Sequence, residues 1–182
     1  MIYIHLADGF EEVEALTVLD VLRRAQMEAR TVSITGNKQV TGAHQITVEA
    51  DMLFEETDYE TCEMIVLPGG MPGAETLGRH QGLTNHIRCF AEHDKYLAAI
   101  CAAPMVFGAL GILKGKNATI YPGMEDQLVG AQYQNEKVVV DGKIITSMGP
   151  ATAMPFALKL VELLKGKAAS DQVAAGLLWD RK

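Results

Sequence analysis

The strongest nucleophile this chain offers is a thiol, and the chain carries three: Cys62, Cys89 and Cys101. Cys101 stands where the sequence pattern changes abruptly. Tyr96–Ile100 is short and apolar and reads as a buried strand, small residues follow, and Pro104–Leu110 reads as a helix. A strand that turns directly into a helix leaves one side chain exposed at the bend on a strained backbone. That is the logic of a nucleophile elbow, here with cysteine in place of serine. Ala99, Ala102 and Ala103 are small enough for close backbone approach, and Pro104 suits a first helical turn, where a missing N–H costs nothing. A helix N-terminus beside the sulfur would favour the thiolate. A lone cysteine is more often a small buried hydrophobe; the strand–Cys–helix context favours a reactive thiol.

A candidate proton carrier for that thiol lies on the first helix. Glu11, Glu14, Val18, Val21 and Ala25 share one stripe at spacings of three and four, and most of it is apolar, so it faces the sheet. Glu14 thereby points toward the core near the helix N-terminus. A first-turn acid often does no more than complement the helix dipole. Burial beside a thiolate would instead raise its pKa, keep it protonated and let it donate to sulfur. Glu12 falls on the other side with Leu16 and Arg23 and reads as structural.

Pro68-Gly69-Gly70 ends another apolar run. The N–H groups of Gly69 and Gly70 could form half of an oxyanion hole, with the Ala102 N–H supplying the other half; the plain alternative is a tight turn. The loop matches neither G-x-G-x-x-G nor a Walker loop, so no nucleotide site is assigned. His86, Cys89 and His93 share a helix face at spacings of three and four, but their neighbours are polar. A solvated face is preferred to a metal site there. Neither metal nor cofactor is expected.

The elements that must position these residues alternate in type. Ile2–Leu6 is a strand, and a helical pattern runs from Phe10 to about Ala25. Ala29–Ile34 is a strand, Val40–Ala50 a short hairpin or edge strand, and Asp51–Tyr59 an acidic connection anchored by Leu53 and Phe54. Met64–Leu67 is a buried strand, Thr84 to about His93 an amphipathic helix, and Ala118–Tyr121 a strand followed by a short helix through Val129. Lys137–Val140 and Lys143–Ser147 form a hairpin about Asp141-Gly142, and helices cover Ala151–Leu164 and Ala168–Leu178. The alternation implies an α/β fold with a mostly parallel sheet and helices on both faces. Such sheets place their sites outside the carboxyl ends of the strands, so the loops after Leu6, Leu67 and Ile100 should converge.

With no linker or repeat in 182 residues, one domain over 1–182 is expected. A 48% hydrophobic and 21% charged composition is that of a soluble globular chain. The net charge of −7, without a basic run, argues against nucleic acid and against an anionic membrane surface. No charged-then-apolar leader precedes Ile2 and no apolar run has the length of a membrane span. An odd number of cysteines without framework spacing argues against a disulfide scaffold and for a reducing, cytoplasmic setting.

Taken together, Glu11-Glu12-Val13-Glu14, Val66–Gly70, Ala99–Pro104 and Ser147–Thr152 resemble the ThiJ/PfpI superfamily over essentially the whole chain. The similarity is greatest to the branch of bacterial YajL and the human parkinsonism-associated deglycase. The resemblance implies a flavodoxin-like, doubly wound three-layer sandwich that forms homodimers. It implies Cys101 as nucleophile, Glu14 as its partner carboxylate, and Gly69, Gly70 and Ala102 as backbone positions lining the pocket. It also implies cofactor-independent conversion of methylglyoxal to lactate, removal of early glycation adducts, oxidant sensing through the same cysteine, or chaperone-like holding. Two positions depart from the family. Ala102 stands where the peptidase branch has histidine directly after the cysteine, and Tyr121 stands where some relatives place histidine before proline. His44 falls where arginine is common. With no histidine base beside Cys101, proteolysis is not expected.

Overall fold

The structure is a computed structural model that describes residues 1–179. In chain order its strands are β1 (Ile2–Leu6), β2 (Ala29–Ser33), β3 (Gln39–Thr41), β4 (Thr47–Glu49), β5 (Met52–Leu53) and β6 (Met64–Leu67). They continue with β7 (Tyr96–Ile100), β8 (Asn117–Ala118), β9 (Gln132–Tyr133), β10 (Val138–Asp141) and β11 (Ile144–Ser147). The central sheet has seven strands in the order β10-β11-β7-β6-β1-β2-β5. All neighbours run parallel except the edge strand β10, which pairs antiparallel with β11 through the Asp141-Gly142 turn.

Strand side chains alternate between faces, and the parallel strands are apolar on both, so each face requires a cover of helices. Ile2, Ile4, Leu6, Val66, Ala98 and Ile100 pack under α1 (Glu12–Arg24), α5 (Ala153–Lys165) and α6 (Lys167–Gly176). Tyr3, Ile65, Leu67, Leu97 and Ala99 pack on the other side under α2 (Gly73–Arg79), α3 (Gln81–Glu92) and α4 (Pro104–Ala109). The result is the mostly parallel sheet with helices on both faces expected from the alternation of elements, in the three-layer, flavodoxin-like form that the family resemblance implies. None of the described helices is long and apolar enough to cross a membrane.

Local differences from the sequence reading have clear causes. Helix α2 is not among the elements read from the sequence, and Gly73 and Gly78 are poor helix formers; it forms because Ala74 and Leu77 are buried against the sheet. The strand expected at Ala118–Tyr121 shrinks to β8, which pairs with β9 outside the main sheet. The short helix expected before Val129 is a single 3-10 turn, Glu125–Gln127. The hairpin about Gly42 is present as the antiparallel pair β3 and β4.

Candidate active site

Strands β1, β6 and β7 are adjacent, so the loops leaving Leu6, Leu67 and Ile100 meet at one edge, as the topology requires. Cys101 follows β7 with φ +64°, in the left-handed region that a side chain with a Cβ rarely occupies. Such a conformation persists only when its surroundings impose it. Here both backbone groups are held: the Cys101 N–H donates to Ser147 O at 2.9 Å, and its carbonyl accepts from the Tyr121 N–H at 2.9 Å. The residue is 9% exposed, so little of it meets solvent. Pro104 occupies the first turn of α4, as its fixed φ favours.

Glu14 is fully buried on the sheet-facing stripe of α1. Its Oε2 accepts the Gly69 N–H at 2.7 Å. Its Oε1 has no backbone or side-chain hydrogen bond of its own, and the Cys101 sulfur is the polar group the carboxyl meets beyond Gly69. Glycine at 69 makes this approach possible. A Cβ there would lie 2.6 Å from Cys101 Cβ and 2.8 Å from Glu14 Oε2, closer than real side chains come. Gly70 has φ +85°, and a Cβ on it would run into the backbone of Gly9, Phe10 and Glu11. The two glycines therefore divide the work: the amide of Gly69 is committed to Glu14, while those of Gly70 and Ala102 favour the thiolate.

Burial pushes the Glu14 pKa up to about 7, opposed by its hydrogen bonds with Cys101 and Gly69 and assisted by the nearby Glu11 charge. Burial also pushes the Cys101 thiol up, to about 12, with the Glu14 charge adding to it and the Gly70 and Ala102 amides opposing. This reverses the thiolate expected from the helix terminus alone. Helix α4 has only six residues, and burial beside a carboxylate outweighs it. The two acids share one site for one negative charge: when Glu14 holds the proton, the repulsion disappears and the same contact becomes a donor to sulfur.

Glu12, 4% exposed, is also buried, but it is turned to the β3–β4 hairpin. Its Oε1 accepts the N–H groups of His44 at 2.8 Å and Ile46 at 3.4 Å, and Oε2 meets His44 Nδ1 at 3.0 Å. Burial opposes its ionisation, but these hydrogen bonds hold its pKa below the usual carboxylate range. His44 is raised by the same contact and by the Glu11 charge. Glu12 thus pins the hairpin, in keeping with its structural reading. Among the described residues, Glu11, Glu12 and His44 are the one group of three whose possible ligand atoms lie within 4.8 Å of one another, and the ion pair accounts for their proximity.

His86, Cys89 and His93 do not gather in this way. The His86 ring stacks on Tyr59 at 3.6 Å between centroids, and His93 Nδ1 donates to the Cys89 carbonyl at 2.8 Å. All three cysteines are free, and the buried Cys62 thiol donates to Met64 O. Sequence reasoning misses the clamp that Ser147 and Tyr121 place on Cys101. The Ser147–Thr152 motif is the available signal for it, without indicating what it touches.

Comparisons with known proteins place the chain in one family. Residues 1–163 match the DJ-1/PfpI family. The chain is 38% identical over 178 residues to protein DJ-1 homolog B of Arabidopsis thaliana, covering 97% of this chain and 41% of that protein. It therefore spans about two-fifths of the length of that plant relative. A deglycase of Pyrococcus abyssi is 31% identical over 163 residues, covering 87% of this chain and 96% of that one. The oxidized DJ-1 of Toxoplasma gondii superposes with a TM-score of 0.94 at 37% identity, covering 98% of this chain and 97% of that chain. With a family match over residues 1–163 and a deglycase relative covered over nearly its whole length, the chain belongs to the DJ-1/PfpI family.

Proposed function

We propose that this protein is a cysteine-dependent, cofactor-independent enzyme that acts on α-oxoaldehydes or on their early glycation adducts. The observation that carries the reading is the contact between Cys101, held at φ +64°, and a fully buried Glu14 whose pKa of about 7 lets it both hold and release a proton. The sulfur of Cys101 adds to the aldehyde carbon of methylglyoxal, giving a hemithioacetal. Glu14 takes the proton from that carbon and returns one to the neighbouring carbon through an enediol, leaving a thioester. Water then releases lactate and restores the thiol. The Gly70 and Ala102 amides support the oxyanion, while Gly69 orients Glu14. Similarity to the Pyrococcus deglycase supports the glycation-adduct branch of the reading.

Purified protein mixed with methylglyoxal, without glutathione, should form lactate, and Cys101→Ala should not. Equal rates for the two would end the enzymatic reading. A homodimer belongs to the same proposal: Val13, Leu16 and Ile46 are exposed apolar side chains on α1 and on the hairpin pinned to it.

A second reading, an oxidant sensor with little turnover, is favoured by the free Oε1 of Glu14 and by the Gly70 and Ala102 amides, which stabilise negative charge at the sulfur. A sulfinate at Cys101 would find a carboxylic acid and two N–H donors around its oxygens. The oxidized state of the Toxoplasma relative supports it. Mild peroxide should then add two oxygens to Cys101 before Cys62 or Cys89 changes, as read by mass spectrometry. Uniform oxidation of the three would refute it.

A further inference from the structure

We infer that Thr152 is a positioning residue for Cys101, acting through a chain of hydrogen bonds that fixes the loop holding the elbow. The inference rests on Cys101 being the reactive group. The end of β11 and the loop after it reach Cys101 from two sides: Ser147 O accepts the Cys101 N–H, and Gly149 lies under the ring of Tyr121, whose N–H holds the Cys101 carbonyl. A Cβ on Gly149 would meet that ring at 3.3 Å, so the loop and the ring are in close contact.

Ser147 and Thr152 are both buried, and their hydroxyls determine where this loop lies. The Ser147 hydroxyl lies 2.7 Å from Lys137 O, which can only accept, so the hydroxyl donates there. Its oxygen is then open to the Thr152 hydroxyl at 2.7 Å. Thr152 in turn accepts the Gly149 N–H at 3.1 Å, while the Gly149 carbonyl is already served by the Thr152 N–H at 2.8 Å. Gly149 N–H donates to Thr152 and Ser147 donates to Lys137, while the Thr152 proton has two acceptors within reach, Ser147 Oγ at 2.7 Å and the Gly149 carbonyl at 2.9 Å. Linked hydrogen bonds polarise one another, and one missing member leaves a buried neighbour unsatisfied. Losing the Thr152 hydroxyl strands the Gly149 N–H and removes the contact that ties the loop to Ser147.

The test is thiol chemistry, which needs no substrate and so stands apart from the proposed reaction. Cys101 alkylation by iodoacetamide is followed against pH by mass spectrometry for wild type, Thr152→Val, Thr152→Ser and the remote core control Val161→Ala. Thr152→Val should shift the Cys101 profile and change its rate by up to about 10²-fold, the scale of a 1 Å misplacement of a reacting group. Thr152→Ser, which keeps the hydroxyl, should restore the wild-type profile. Val161→Ala should lower the melting temperature without moving the profile. If Thr152→Val leaves the profile unchanged, or Val161→Ala moves it as much, the inference fails. If wild type lacks lactate formation while the profiles differ as stated, the proposed reaction fails and the positioning role stands.

Discussion

Glu12 and Glu14 are two residues apart on one helix, both are buried, and their pKa values move in opposite directions. Burial penalises the charge of each. Glu12 answers it with two backbone N–H groups and the His44 ring. Glu14 has one N–H and a thiol, and Glu11 adds repulsion. Depth and the number of donors together decide whether a buried carboxyl is an anion that holds structure or an acid that can exchange a proton, and Glu14 is both the more deeply enclosed and the less well supplied.

The largest effect that would sharpen this contrast is on turnover. Glu14→Gln keeps shape and a donor but cannot take a proton, so lactate formation should fall by about 10²-fold or more. Its thiol should become more acidic, because the neighbouring charge is gone, and alkylation near pH 8 should be faster than in wild type. Wild-type turnover in Glu14→Gln would remove the proton carrier from the mechanism.

Stability should show the opposite signs of the two acids. The folded pKa of Glu14 is raised to about 7, so between the unfolded value and pH 7 the folded state binds more protons than the unfolded one. Its contribution is therefore most favourable at low pH and is lost as pH rises through that window, by about 3 kcal/mol in all. Urea unfolding at pH 5 and pH 8 should show wild type losing most of that relative to Glu14→Gln; parallel behaviour would mean the carboxyl titrates normally.

Glu12 should behave the other way. Its folded pKa is depressed, so its contribution is present above the unfolded pKa and is lost as pH falls through the folded one. Glu12→Gln should cost about 1–2 kcal/mol at pH 7, the scale of charge-assisted hydrogen bonds, and the gap should close under acid. A gap that persists at pH 3 would point to packing instead. The smallest effect is expected at His44, whose exposed ring shares its contact with solvent. His44→Ala should lower the melting temperature less than Glu12→Gln does, and His44→Arg should recover most of that loss.

Much of the fold and part of the site are legible in the sequence. The apolar runs Ile2–Leu6, Met64–Leu67 and Tyr96–Ile100, alternating with helical stripes, are strong local signals and form the adjacent strands β1, β6 and β7. Helix α2 is not among those signals: its Gly73 and Gly78 are poor helix formers, and burial of Leu77 overrides them. The elbow at Cys101 and the inward direction of Glu14 are readable because each follows from the pattern of its own stretch of chain.

What the sequence by itself determined is therefore the set of elements, their order and the residues that each presents at the carboxyl edge of the sheet. Only the tertiary structure decided which amide serves which acid. The Gly69 N–H reaches Glu14 across 55 positions of chain, and nothing local distinguishes Gly69 from Gly70 in that role. The same holds for the thiol: a helix end alone predicts a lowered pKa, yet burial and the Glu14 charge raise it to about 12. Periodicity is a property of neighbours along the chain, whereas hydrogen-bond supply and desolvation are properties of neighbours in space.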